Sequence, residues 1–156
     1  MKKIYSFALA LLALPFILSS CSNDNELPNV AFNMAVSGGV MDNNTIYIVR
    51  GDTLNIESLN VTNLDSDKAA AVTDAQYYWD YNFIGANPFA PYNFSIDVGD
   101  STAVGDHMLT VRAGVIAVDK TPAFAIVDYP VVVVADSTQM PANPLTTSTI
   151  QTSLKQ

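Results

Sequence analysis

Few residues of this chain are of the types that carry out chemistry. Enzymatic catalysis needs a nucleophile with a base, paired carboxylates or a metal ion. The chain has a single His, His107, and a single Cys, Cys21. One imidazole and one thiol cannot build a multi-ligand zinc centre. The sequence also lacks a Gly-x-Ser-x-Gly elbow, a phosphate-binding glycine loop and a His-Glu-x-x-His motif. It therefore predicts a protein that is not an enzyme and has no catalytic residue, cofactor or metal site.

His107 alternates with Leu109 and Val111 in a segment of strand-like pattern, so it shares their inward phase. A shielded imidazole stays neutral because burial disfavours its charged form. The nearest acid in sequence, Asp106, points to the opposite face of the same strand. We expect His107 to have a structural role, with one or two hydrogen bonds to backbone groups, rather than to act as a general base.

The fifteen Asp and Glu residues are potential ligands of calcium. A calcium site needs about six to eight converging oxygen atoms. Two loop regions are rich in acids, which are Asp65, Asp67 and Asp74 in the first and Asp97, Asp100 and Asp106 in the second. Their spacing does not fit the EF-hand loop. We therefore interpret these carboxylates as solvated surface groups.

Aromatic residues are concentrated in the segment Tyr77-Tyr78-Trp79-Asp80-Tyr81. In an extended strand Trp79 has the inward phase and is expected in the core, whereas Tyr78 faces outward. An outward aromatic ring can stack on a sugar ring. Tyr78 is therefore the candidate for ligand contact.

Composition and charge narrow the class of protein. Hydrophobic residues make up 49% of the chain, which is enough for a core, and charged residues only 14%. The formal net charge is −8. Nucleic-acid binding requires a basic surface, so we exclude nucleic acid as a partner.

The elements that position these side chains are strands. From residue 30 to 136 apolar residues recur with period two, and turn signals rich in Gly, Asp, Asn and Pro separate the runs. This pattern predicts an all-β fold, an antiparallel β-sandwich of about seven strands. The last run, residues 124–134, is nearly all apolar, and Pro130 within it predicts an edge strand or a bulge.

The pattern of the first residues predicts a targeting signal. Lys2 and Lys3 precede an apolar run over residues 7–18, which is too short to span a bilayer. The run ends in Leu18-Ser19-Ser20-Cys21, which resembles the lipobox of bacterial lipoproteins. The resemblance implies a signal peptide over residues 1–20 and a lipid on Cys21 that anchors the protein to a membrane.

Two polar segments flank the predicted domain. Residues 21–29 are acidic and predict a flexible tether, and the polar residues 137–156 predict a disordered tail. The acids that follow Cys21 resemble the surface-export signal of Bacteroidetes lipoproteins. We expect a lipid-anchored protein of the outer membrane, with the periplasmic and cell-surface faces both open.

Segments of the domain resemble immunoglobulin-like modules, in particular PKD domains. Tyr77-Tyr78-Trp79-Asp80-Tyr81 is similar to their Trp-Asp-aromatic strand, and the segment from Gly105 to Ala113 is similar to their penultimate strand. The resemblance implies an immunoglobulin-like β-sandwich. The glycine-rich turn that follows the triplet in PKD domains is replaced here by Asn82-Phe83-Ile84-Gly85.

These observations favour a lipid-anchored cell-envelope protein with a non-catalytic role in binding, adhesion or assembly, with a glycan or an envelope protein as partner. One alternative is an accessory carbohydrate-binding lipoprotein of a polysaccharide-capture system, which an outward aromatic platform near Tyr78 would favour. Another is a structural subunit of a surface fibre, which an unpaired edge at Val131-Val132-Val133-Val134 would favour. A small hydrolase is the least favoured reading.

Overall fold

The computed structural model describes residues 26–65, 67–142 and 147–152. These residues form ten β-strands and one turn of 3-10 helix at Ser137–Gln139. The strands are β1 (Val30–Ser37), β2 (Val40–Asp42), β3 (Thr45–Val49), β4 (Thr53–Asn63), β5 (Ala70–Trp79), β6 (Asn82–Asn87), β7 (Phe94–Asp97), β8 (Gly105–Ala117), β9 (Ala123–Val134) and β10 (Thr147–Thr152). Cys21 and the signal segment lie outside the described residues.

The strands form two sheets that pack face to face. One sheet has the order β10-β1-β4-β7, and the other has the order β2-β3-β9-β8-β5-β6. Strands β1, β4 and β7 thus lie in one sheet, and β5, β8 and β9 lie in the sheet opposite. Immunoglobulin domains divide their strands in the same way, with A, B and E in one sheet and C, F and G in the other. The predicted all-β, immunoglobulin-like sandwich is confirmed. Neighbouring strands pair antiparallel except for β3 and β9, which are parallel.

The core lies between the two sheets and is built from the inward phase of each strand. In the first part of β9 the burial alternates, with Ala125, Val127 and Tyr129 buried and the residues between them exposed. Tyr77 and Tyr129 are the largest fully buried side chains. Such burial stabilises the fold by about 1.5–3 kcal/mol for each large apolar side chain.

The segment Tyr77-Tyr78-Trp79-Asp80-Tyr81, interpreted above as extended strand, does not stay extended to its end. The chain turns at Asp80 and Tyr81, whose φ angles are 48° and 65°, and Phe83 belongs to β6. Tyr81 and Phe83 are 78% and 60% exposed. Trp79, expected in the core, is half-buried and packs against the margin of the core.

The unpaired edge at Val131-Val132-Val133-Val134 that would favour a fibre subunit is absent, because β3 pairs with this segment on one side and β8 on the other. Pairing with β3 begins only at Val131. Pro130, which lacks an N–H group, therefore lies just before the doubly paired part of the strand, where a missing donor costs little.

The structure differs from the expected disordered tail at residues 137–156. Asp136 caps the 3-10 turn by accepting from the backbone N–H of Thr138 at 2.9 Å. Thr147–Thr152 pairs antiparallel with β1 along six residues. The sequence of this strand is rich in Thr, a β-branched residue that favours strands although its polarity is typical of loops. No helix formed by the described residues is long and apolar enough to cross a membrane.

Candidate functional site

The outward face of the six-stranded sheet carries a groove of about 550 Å³. The exposed face of a sandwich is ordinarily polar, but this one combines aromatic, aliphatic and charged side chains. Its lining residues are Tyr78, Tyr81, Thr110, Arg112, Phe124, Ile126 and Asp128. Below, these seven residues are called the Tyr78 groove.

Strand register explains why these residues meet. Tyr78 of β5 pairs with Thr110 of β8, and Thr110 pairs with Asp128 of β9. Arg112, two residues further along β8, pairs with Ile126. Residues two apart in a strand face the same side, so the side chains form two adjacent rows across three strands.

Ring contacts support two of the lining residues. Outside the groove lining, the ring of Phe83 meets Tyr78 edge-on, with ring centroids 5.5 Å apart. Within the lining, the guanidinium of Arg112 lies over the ring of Phe124, 4.5 Å from its centroid, as a cation–π pair. Phe124 and Ile126 remain 47% and 55% exposed. The groove therefore presents apolar surface to solvent.

Tyr81 lines one end of the groove from the turn between β5 and β6. Trp79 and Asn82 pair across this turn, and only Asp80 and Tyr81 lie between them. Both have positive φ angles, as in the type I′ turns that favour Gly at the second position. A Tyr in the left-handed region costs roughly 1–2 kcal/mol, and here it places an exposed aromatic ring beside the groove.

Asp80 fastens this turn to the start of β8. Its backbone N–H donates to the carbonyl of Met108, and its Oδ1 accepts from the N–H of Met108, both at 2.9 Å. The other carboxylate oxygen, Oδ2, lies 2.7 Å from Nδ1 of His107. His107 in turn contacts the ring of Trp79, with centroids 5.3 Å apart.

The second ring nitrogen of His107 is also engaged. Nε2 lies 2.9 Å from the carbonyl oxygen of Ala103, so the backbone hydrogen bond that the sequence predicts is present. Both partners of the ring, a carboxylate and a carbonyl, are acceptors. Both nitrogens can donate only when the imidazole is doubly protonated, so the geometry favours the charged form.

These contacts act against the expected effect of burial, which favours a neutral His107. Burial lowers the pKa of His107. The hydrogen bonds to Asp80 and to the carbonyl of Ala103, together with the negative charges of Asp80 and Asp106, raise the pKa by more than burial lowers it. The net result is a pKa above the ordinary value of 6.5. The acid that sequence reasoning could not find is Asp80, 27 positions away. With both nitrogens engaged, the ring has no nitrogen available to take a proton from a substrate.

The structure places the other candidate residues as follows. Tyr78 faces outward in the groove and is half-buried. Within residues 26–65, 67–142 and 147–152, no three His, Cys, Asp or Glu side chains converge as a metal site would require. Cys21, the candidate for lipidation, lies outside the described residues.

Sequence reasoning missed Tyr81, Arg112, Phe124 and Ile126 as parts of a site. One signal was present in the pattern of β9, where Phe124 and Ile126 are apolar although they alternate with the core residues Ala125 and Val127. A strand whose inward and outward residues are both apolar is typical of a strand that is covered on both faces. The outward face of β9 forms a wall of the groove.

Comparisons with known proteins give a distant likeness to solved structures only. No family model matches the sequence, and no curated protein matches it. Among solved structures, the chain is similar to one described as "Structures of Clostridium thermocellum CbhA fibronectin(III)-like modules". The two share 19% identity with a TM-score of 0.37, and the match covers 63% of this chain and 94% of the other. The strand order of this chain, rather than that likeness, establishes its fold.

Proposed function

We propose that this protein is a non-catalytic binding module of the cell envelope, anchored by a lipid on Cys21, and that its binding surface is the Tyr78 groove. The observation that carries the proposal is the concentration of solvent-facing aromatic rings around a concave surface on a face that is ordinarily polar. Small-molecule sites are concave, largely apolar and lined with a few polar groups. The groove has each of these properties.

The conformation of Tyr81 supports the same assignment. Glycine would relieve the cost of the left-handed backbone at this position, yet the sequence has a large aromatic residue whose side chain packs little and is 78% exposed. Unfavourable backbone conformations cluster at ligand-binding sites because the side chain is needed where the backbone places it. A role in ligand contact explains why Tyr81 occupies this turn.

Carbohydrate is the ligand class that we propose for the groove. Aromatic rings offer flat apolar faces to the C–H groups of sugar rings, and Thr110 and Asp128 offer oxygen atoms to hydroxyl groups. The aromatic platform near Tyr78 is the feature that favours a carbohydrate-binding lipoprotein over a fibre subunit or a small hydrolase. The fibre-subunit alternative loses its main argument, because the segment from Val131 to Val134 is paired on both sides.

The start of the domain constrains how the groove would be presented. The Nζ of Lys120 lies 2.6 Å from Oε2 of Glu26, and the N–H of Thr121 donates to the carbonyl of Glu26 at 3.1 Å. Only five residue steps separate Glu26 from Cys21, a span of at most about 18 Å. A lipid on Cys21 would therefore hold the β8–β9 loop close to the membrane, with the Asp80–Tyr81 turn at the opposite end of β5 and β8.

Binding is tested with the full chain, purified in detergent, on an array of neutral and acidic oligosaccharides. We expect Tyr78→Ala to lower the affinity for any bound glycan by at least tenfold. Phe89→Ala is the matched control, because Phe89 is 75% exposed but does not line the groove. Equal loss in both variants, or binding to no glycan at all, would contradict the proposal.

The lipid anchor is tested separately. We expect Cys21→Ala to accumulate as an uncut precursor that takes up no labelled fatty acid, since the thiol is the atom that would be acylated. Outer-membrane fractionation and the accessibility of an epitope at the C-terminus then distinguish the periplasmic from the cell-surface face. Normal acyl labelling of Cys21→Ala would contradict the assignment of the lipid to this residue.

A further inference from the structure

Arg112 is a cation whose hydrogen-bonding groups the described part of the chain leaves unused. Its side chain is half-buried and lines the Tyr78 groove. Among the described residues, no acceptor takes a hydrogen bond from its guanidinium and no carboxylate lies within ion-pair distance of it, whereas Lys68 and Lys120 are both in ion pairs. The contact with the face of Phe124 positions the guanidinium without using its N–H groups.

The one acid in the groove does not neutralise Arg112. Asp128 pairs across the strand with Thr110 and accepts its hydroxyl at 2.6 Å. Arg112 lies two residues away from Thr110 on the same face, but its side chain is turned toward Phe124 instead. The groove therefore holds one positive and one negative group that are separately positioned, with apolar surface around them.

We propose that the groove is specific for sugar rings that carry a carboxylate, that is, for hexuronate residues of an acidic glycan. Arg112 would bind the carboxylate through two parallel N–H donors, the geometry in which arginine recognises carboxylates most strongly. Asp128 would accept a hydrogen bond from a ring hydroxyl, and the ring of Tyr78 would contact the apolar face of the sugar. This inference rests on the proposed function and specifies its ligand class.

The negative net charge of the chain makes the binding of an acidic ligand depend on a local cation. The formal net charge is −8, so an acidic ligand is repelled at long range and needs a local cation to bind. Arg112 is the only cationic side chain among the residues that line the groove. We therefore expect recognition of acidic sugars to depend on this single guanidinium, rather than on a broad basic surface.

Titration calorimetry on the full chain tests the inference with matched ligands. The probes are tetrasaccharides of galacturonate, mannuronate and glucuronate, each beside its methyl ester, which keeps the ring but removes the charge. We expect at least one acid to bind at least tenfold more tightly than its ester. Arg112→Gln should abolish that preference, and Arg112→Lys should restore part of it, while the melting temperatures stay close to that of the original chain.

The possible outcomes separate this inference from the proposed function. If an acid and its ester bind equally, and Tyr78→Ala weakens both, the groove binds sugars but is not specific for the carboxylate. If no tetrasaccharide binds while a neutral glycan of the array does, the inference about uronates is overturned and the proposed function stands. If neither the tetrasaccharides nor any glycan of the array binds, both statements are overturned. Binding of a peptide through its C-terminal carboxylate, lost in Arg112→Gln, in the absence of uronate binding would show that Arg112 recognises a different class of ligand.

Discussion

The carboxylate of Asp80 and the imidazole of His107 lie 2.7 Å apart, and together they fasten the turn that carries Tyr81 to the start of β8. Asp80 holds the backbone of Met108 with its other oxygen, while His107 holds the carbonyl of Ala103 with its other nitrogen. The side chain of His107 is only 12% exposed, whereas that of Asp80 is 43% exposed. The pair therefore joins the rim of the groove to the interior of the sandwich.

This pair makes stability depend on pH. Because the folded pKa of His107 is raised above 6.5, its contribution is fully present below pH 6.5 and is lost as the pH rises through the folded pKa. We expect the free energy of unfolding, measured with urea, to fall by about 1 kcal/mol or less across that range, since solvent screens the exposed side of the pair.

Asp80→Asn is the control for this prediction. An amide keeps an oxygen for the N–H of Met108 but removes the charge that favours the protonated imidazole. The variant should lose most of the pH dependence between pH 6 and pH 8, where carboxylates do not titrate. An unchanged slope in Asp80→Asn would mean that another group causes it.

Replacing Tyr81 by Gly should separate stability from binding. Gly accepts the left-handed conformation without penalty, and Asp-Gly is a favoured sequence for a two-residue type I′ turn. We expect the free energy of unfolding to rise by about 1 kcal/mol and the affinity for a groove ligand to fall. Thermal melting and calorimetry on the same preparation measure both. A more stable variant with full affinity would exclude Tyr81 from the binding surface.

Gly85 is required by the packing of one ring. It pairs with Tyr77 across β5 and β6, and a Cβ added there would lie 2.4 Å from Cε2 of Phe94. Phe94 cannot easily move away because its ring stacks on Tyr77 with centroids 4.7 Å apart. Gly85→Ala should therefore destabilise the domain by about 1–3 kcal/mol. Gly99→Ala is the control, since a Cβ at Gly99 would meet no atom within 4 Å.

Tyr77 and Trp79 should differ in their importance for folding. Tyr77 is fully buried, stacks on Phe94 and donates its hydroxyl hydrogen to the carbonyl of Tyr92, whereas Trp79 is half-buried. Truncating a buried aromatic to Ala costs roughly 3–5 kcal/mol, in a domain whose total stability is about 5–15 kcal/mol. We expect Tyr77→Ala to melt at a lower temperature than Trp79→Ala. A lower melting temperature for Trp79→Ala would show that the packing around Trp79 contributes more to the free energy of unfolding than its partial exposure indicates.

The sandwich could be predicted because its signal is local. Leu54 and Ile56 alternate with Asn55 and Glu57, and the structure buries the first pair while leaving the others at least partly exposed. The turn at Asp80 and Tyr81 escaped prediction, because Asp-Tyr has no glycine and the aromatic alternation continues through it. A local pattern cannot show that a tertiary contact, here the hydrogen bonds from Asp80 to β8, stabilises a left-handed tyrosine.

The groove and the tenth strand could not be predicted for a different reason. The groove exists only because the register of three strands aligns Tyr78, Thr110 and Asp128, which are 18 or more positions apart in sequence. Similarly, Thr147–Thr152 pairs with β1, which lies near the start of the domain. Composition and periodicity describe each segment alone, whereas both features depend on which segments become neighbours.

The central claim, that the Tyr78 groove is the binding surface, is tested most directly by NMR titration of the isotopically labelled full chain with a glycan that it binds. The amides of Tyr78, Thr110, Arg112, Phe124 and Ile126 should shift together with one dissociation constant. Residues of the opposite sheet, such as Asn55 and Asn60, should not shift. Shifts confined to the opposite sheet, or to the loops at one end of the sandwich, would contradict the claim.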